Sequence, residues 1–200
     1  MGLSHPVACK VQEKFGSRHF RVATCSMQGF RTSMEDDHHV ELALENHTGF
    51  AFLGVFDGHG GANASKYCAA TIHKKCSVIP GDFTPEKIQN AVLEADEEWL
   101  VETNEVRNHG TTCVFALVDY RAAEEGKEES YNIIVSNTGD SRCVWGTLQE
   151  EESPGFIQCT EDHKPTNPIE RARIAKAGGI VSNGRVVSAL ISRIAYILGW

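Results

Sequence analysis

Phe52-Leu53-Gly54-Val55-Phe56-Asp57-Gly58-His59-Gly60-Gly61 is the stretch on which the fold of this chain turns. Its first five residues form an apolar run of the kind a buried strand needs, and the run delivers a carboxylate at its end. A strand end is a rigid mount for a ligand, and the glycines beyond it let a cation or substrate approach the backbone closely. An Asp-Gly pair also makes hairpin turns, but a hairpin needs a second strand at once. Here Ala62 to Cys76 follows, with Ala64, Cys68 and Ile72 at helical spacing. The reading is therefore strand, carboxylate, glycine turn, helix.

Working outward, Phe20 to Ser26 and the alternation Val40, Leu42, Leu44 read as strands that precede the run Ala51 to Phe56. A second helix starts with Thr84 as cap and Pro85 in its first turn, carries Ile88, Val92, Ala95 and Trp99 on one face, and ends near Thr103. Thr112 to Val118, Tyr131 to Ser136 and Cys143 to Trp145 form a second β-block, with an acidic insert over Arg121 to Glu129. Asn167, Pro168 and Glu170 open a third helix that Gly178-Gly179 stops. Strands flanking a helical pair, without strict alternation, argue an α+β layered domain rather than a parallel βαβ sheet.

Composition narrows the function classes. At 200 residues, 41% hydrophobic and 23% charged, the chain is ordinary globular material, long enough to bury a core without disulfide staples. Its formal charge of −8 repels nucleic-acid backbones and anionic membranes and favours metal cations. Seven cysteines in no CxxC pair read as reduced, mostly core thiols. With no apolar leader at the start, the expected compartment is cytoplasmic and/or nuclear, and the expected state a monomer. Pro6 stands where a myristoylation pattern after Gly2 wants Ser or Thr.

Two further segments carry chemistry. Arg31-Thr32-Ser33-Met34-Glu35-Asp36-Asp37-His38-His39 sets one cation beside three carboxylates in the turn between the first two strands. Asn137-Thr138-Gly139-Asp140-Ser141-Arg142 again places an Asp after Gly between strands. Taken singly, the first reads as a solvated charged loop and the second as an ordinary turn. Taken with Asp57, an oxygen-rich ligand set suits a hard divalent ion, Mg²⁺ or Mn²⁺, better than zinc.

These segments together resemble the metal-dependent protein phosphatases of type 2C. Arg31 to Asp36 is similar to that family's RxxMED motif, Phe56 to Gly61 to FDGHGG, Gly110-Thr111-Thr112 to its GTT strand start, and Asn137 to Arg142 to NxGDSR. Asp162-His163-Lys164-Pro165 resembles its DHKP element, and Glu170 to Val181 its ERxRIxxAGGxV helix. Several motifs in order are far more specific than any one short match. The resemblance implies an antiparallel β-sandwich flanked by helix pairs, a four-layer α-β-β-α plan, with two metals and a weaker third in a channel at one end. It implies that Asp57 bridges both ions, that the Gly58 carbonyl contacts one, and that Glu35 and Asp36 hold or orient metal-bound water. Asp140 then serves the further ion and Thr112 hydrogen-bonds a metal-bound water.

The implied activity is hydrolysis of phosphoserine and phosphothreonine in phosphoprotein substrates. Water activated between two divalent ions attacks phosphorus, Arg31 clamps phosphate oxygens as the substrate-binding residue, and His59 protonates the departing oxygen. No cysteine sits in a CxxxxxR loop, so a thiolate nucleophile is disfavoured.

The pattern breaks near the end. Beyond Arg185-Val186 the segment Val187 to Trp200 departs from the family's continuation, and no Asp follows Asp162. We therefore expect residues 1–19 as an N-terminal extension, 20–185 as a partial catalytic domain incomplete at its C-terminal end, and 186–200 as a divergent apolar tail too short to span a membrane. Missing carboxylates leave two dications poorly compensated. The alternative is thus a catalytically impaired form that binds phosphoproteins or partners without hydrolysis.

Overall fold

The computed structural model describes residues 2–103, 109–123, 128–146 and 155–186. The chain opens with an antiparallel hairpin, β1 (Val7–Gly16) and β2 (Arg21–Gly29). Strands β3 (Asp37–Glu41), β4 (Phe50–Phe56) and β5 (Gly58–His59) follow, then helices α1 (Asn63–Ser77) and α2 (Pro85–Thr103). Next come β6 (Gly110–Thr111), β7 (Cys113–Arg121), β8 (Ser130–Thr138), β9 (Val144–Gly146) and β10 (Phe156–Gln158). Helix α3 (Pro168–Lys176) and the short pair β11 (Val181–Ser182) and β12 (Arg185–Val186) close the described part.

The central sheet has the order β3-β4-β7-β8 and is antiparallel throughout. Its two faces follow from the register. Phe52, Gly54 and Phe56 on β4 share a face with Phe115 and Leu117 on β7, and Phe52 stacks on Phe115 with ring centroids 5.1 Å apart. That face buries Phe52, Phe56, Phe115 and Leu117 almost completely against Cys68, Ile72 and Cys76 of α1 and Ile88, Val92 and Ala95 of α2. Burying each large apolar side chain contributes about 1.5–3 kcal/mol, so this layer carries most of the cohesion. The helices form where the periodicity placed them, α2 starting at Pro85 with the Thr84 hydroxyl accepting from the Lys87 N–H at 3.4 Å.

The opposite face meets the β1–β2 hairpin. His38 of β3 pairs with Glu13 of β1 at 2.8 Å, the His19 ring stacks on Tyr120 at 3.7 Å, and the Tyr131 hydroxyl donates to the His19 carbonyl at 3.0 Å. The α+β class and the antiparallel layering are thus as expected: helix pair, sheet, hairpin. Among the described residues α3 is the one helix beyond the α1–α2 pair, so the sandwich is incomplete on its C-terminal side. Val55, Phe156 and Ile157 are exposed.

Three readings are corrected. β3 covers Asp37 to Glu41 rather than an alternation through Leu44, because pairing of Asp37 with Phe56 and Glu41 with Phe52 recruits the second half of the charged run into the sheet. The strand leading to Asp57 is not buried on both faces, since Val55 is 51% exposed. The cysteines are all free, but only Cys68, Cys76 and Cys113 are buried; Cys9, Cys25 and Cys159 lie on hairpins that reach into solvent. Within the first nineteen residues, β1 is a paired strand. The acidic insert lies partly, and the tail from Val187 to Trp200 wholly, outside the described residues.

Candidate functional site

Asp57 is fixed through its backbone. As β4 ends, β5 pairs with β6, Gly58 opposite Thr111 and His59 opposite Gly110. The Thr112 N–H donates to the Asp57 carbonyl at 2.9 Å, and the Asp57 N–H donates back to the Thr112 hydroxyl at 3.0 Å. The same hydroxyl pairs with Ser141 Oγ at 2.6 Å, tying the Asn137–Arg142 turn to Asp57. Gly139 permits that approach: it sits at φ 101°, and a Cβ there would lie 2.8 Å from Thr112 Cγ2.

The facing wall is the loop from Arg31 to Asp36, between β2 and β3. Gln28 anchors its start, donating through Nε2 to the Arg31 carbonyl at 2.9 Å, and the Ser33 hydroxyl donates to Glu35 Oε1 at 2.8 Å. At its far end the Glu35 backbone packs directly on Gly58, where a Cβ would stand 2.3 Å from the Glu35 carbonyl oxygen. The hydroxyl of Ser65, fully buried in the first turns of α1, donates to that carbonyl. Two walls are thereby fastened together, with the Asp36 carboxyl near enough to Asp57 for one charge to act on the other.

Between the walls lies a polar cleft of about 480 Å³ lined by Arg31, Glu35, Asp36, Asp57, Gly58 and His59, with Arg185 of β12 at its edge. Of the residues read from the sequence, these six converge on one cavity. Asp140 and Thr112 stand outside its lining: Asp140 is exposed on the turn after β8, close enough for its charge to act on His59, and Thr112 lies beneath Asp57.

The electrostatics follow from this crowding. Desolvation, then the facing Asp57 carboxylate, raise the Asp36 pKa, while Arg31 acts the other way. His59 keeps part of its surface open to solvent, yet the cleft walls desolvate its cationic form and lower its pKa, against the opposing pull of Asp57 and Glu35. The crowding of Asp36 on Asp57 is what a hard dication would relieve. The Asp36–Asp57 pair with the Gly58 carbonyl suits one such ion, which keeps much of its own water. Among the described residues no group of three or more His, Cys, Asp or Glu converges on a metal position.

Ser65 and Ser141 were not singled out from the sequence. Ser65 had a signal: it is a polar residue on the buried face of α1, beside Ala64, Cys68 and Ala69. The other's role depends on the long-range contact with Thr112, which nothing local announces.

A family model described as protein phosphatase 2C matches residues 20–193. A probable protein phosphatase 2C of Caenorhabditis elegans is 35% identical over 190 residues, covering 92% of this chain and 49% of the relative. A protein phosphatase 2C homolog of Schizosaccharomyces pombe is 34% identical over 202 residues, covering 94% and 49%. The chain thus spans about half the length of these curated relatives. Among solved structures, a phosphatase from Toxoplasma gondii superposes with a TM-score of 0.63 at 21% identity, covering 92% of this chain and 62% of that one. A sex determining protein of Caenorhabditis elegans gives 0.60 at 20% identity, covering 96% and 44%. At these identities the two structures speak for the fold alone.

Proposed function

Because the chain belongs to the protein phosphatase 2C family, we propose that it is a protein serine/threonine phosphatase that hydrolyses phosphoserine and phosphothreonine with metal-activated water. The observation that carries this reading is a guanidinium, a facing carboxyl pair and an imidazole on one 480 Å³ cleft. Arg31 offers two parallel N–H donors to phosphate oxygens and offsets their charge as the transferring group loosens. Asp36 and Asp57 hold Mg²⁺ or Mn²⁺, with Glu35 beside them orienting water. A bound dication supplies the nucleophile by lowering the pKa of water. His59 delivers a proton to the leaving seryl or threonyl oxygen; the lowered pKa makes its cation a ready donor, populated increasingly as pH falls. Thr112 and Ser141 hold the Asp57 peptide in place.

Phosphoproteins are the partners this site suits. Among the described residues no helix is long and apolar enough to cross a membrane. Seven free cysteines favour a reducing compartment, cytosol or nucleus, and we assign a monomer acting on its substrate there.

A second reading, binding of phosphoprotein without turnover, rests on the sequence carrying no Asp after Asp162. Phosphopeptide hydrolysis with added Mn²⁺ separates the two. The enzyme reading expects turnover that Asp57→Asn abolishes, with Arg31→Ala chiefly raising KM. Absence of metal-dependent turnover, with phosphopeptide still bound, leaves the silent reading.

A further inference from the structure

Away from the cleft, the β9–β10 pair places two thiols side by side. The register runs Phe156 opposite Gly146, Ile157 opposite Trp145 and Gln158 opposite Val144, so the next pair is Cys159 opposite Cys143. The backbone confirms the step: the Cys159 N–H donates to the Cys143 carbonyl at 2.9 Å. The reciprocal Cys143 N–H donates instead to Thr160 Oγ1 at 3.0 Å, so the ladder ends at this step; facing residues there have Cα atoms about 5.5 Å apart, inside the range of about 4.4–6.8 Å that a disulfide spans. Both are free, Cys143 half-buried and Cys159 exposed.

We propose that Cys143 and Cys159 are a peroxide-sensitive modification site, closing to a reversible cross-strand disulfide. Cys159 is the sulfur that meets the oxidant, because it is exposed. Burial, then the neighbouring thiol, push the Cys143 pKa up, so it is the poorer first nucleophile and enters second through its position opposite Cys159. In that first step the Cys159 thiolate attacks one oxygen of hydrogen peroxide. The O–O bond breaks, and the sulfur is oxidised to a sulfenic acid while water leaves. The Cys143 sulfur then attacks the sulfenic sulfur, the S–O bond breaks, and a second water departs with the Cys143 proton. Two thiols and one peroxide become one disulfide and two waters.

The other cysteines set the contrast. On the β1–β2 hairpin Cys25 stands opposite Gln12, not Cys9, so those two exposed thiols are out of register. Cys68, Cys76 and Cys113 are buried in the core, where desolvation raises each thiol pKa. Closure would fasten β9 to β10 beside the bridge in which Arg142 grips Asp162 at 2.6 and 2.7 Å. That ties together the turns bearing Asp140 and Asp162. A bond of this kind in a reducing compartment is transient and responsive rather than structural.

The test is non-reducing peptide mapping of the whole chain after brief treatment with hydrogen peroxide and thiol blocking. The readout is mass, so it stands whether or not the chain hydrolyses phosphate. We expect a linked pair of peptides carrying Cys143 and Cys159, lighter by two hydrogens and separated by dithiothreitol. Cys143→Ala should replace the link with a sulfenic acid trapped at Cys159. The proposal is overturned if Cys159 passes to sulfinic acid with Cys143 still free. It is equally overturned if Cys9 and Cys25 become linked as readily.

Discussion

Replacing Gly58 by Ala tests whether the two walls of the cleft are held by direct backbone contact. The added methyl would stand 2.3 Å from the Glu35 carbonyl oxygen, 3.2 Å from its carbon and 2.9 Å from Ser65 Oγ. Neither side can yield easily: Gly58 is paired with Thr111, and Glu35 is held by Ser65. Overpacking of this kind costs about 1–3 kcal/mol, and losing the Ser65–Glu35 hydrogen bond adds about 1 kcal/mol. A total of about 2–4 kcal/mol is a large share of the roughly 5–15 kcal/mol that keeps a domain folded. Urea unfolding should show a lower midpoint with an unchanged slope. Mn²⁺ affinity should also fall, because the methyl spreads Asp36 from Asp57. Adding Ser65→Ala should not rescue the variant, since it removes the softer contact and leaves the Glu35 oxygen in place. A Gly58→Ala protein within about 0.5 kcal/mol of the parent, the normal range for harmless substitutions, would refute the packing of one wall on the other.

Two other outcomes follow from the same geometry. Thr112→Val removes the acceptor of the Asp57 N–H and the Ser141 contact in a buried setting, so it should destabilise by about 1–3 kcal/mol and weaken Mn²⁺ binding, whereas Thr112→Ser should retain most of both. His39 and His73 stack at 3.7 Å between β3 and α1; desolvation chiefly lowers both, bringing His73 from 6.5 to about 4. The unfolded chain therefore binds more protons than the folded one between those values. Stability should be full above about pH 6.5 and decline as pH falls toward 4. His73→Gln should flatten that decline in thermal unfolding across the same range, and an unaltered slope would exclude the stack as its source.

The elements that sequence displayed best are those whose signals are local. α1 and α2 were legible because Ala64, Cys68 and Ile72, and Ile88, Val92 and Ala95, repeat at the spacing that the sheet face then buries. Asp57 was legible because an apolar strand ends on it. The Arg31–His39 run was only half legible, since its division into loop and strand depends on Asp37 pairing with Phe56 across the sheet. β1 was missed because its residues are nearly all exposed, so no buried face stamps an alternation on them. Ser65 and Ser141 act through contacts with residues far along the chain, which no short window contains. The carboxyl pair was expected as part of a larger ligand set, and the described residues bring together Asp36 and Asp57 without a third converging ligand.

Calorimetric titration of Mn²⁺ into the purified chain and into Asp57→Asn bears most directly on the claim that the loop and the strand end gather carboxylates to hold a hard cation. The account predicts saturable uptake by the parent and its loss in Asp57→Asn. No uptake by the parent, or undiminished uptake by the variant, would contradict it.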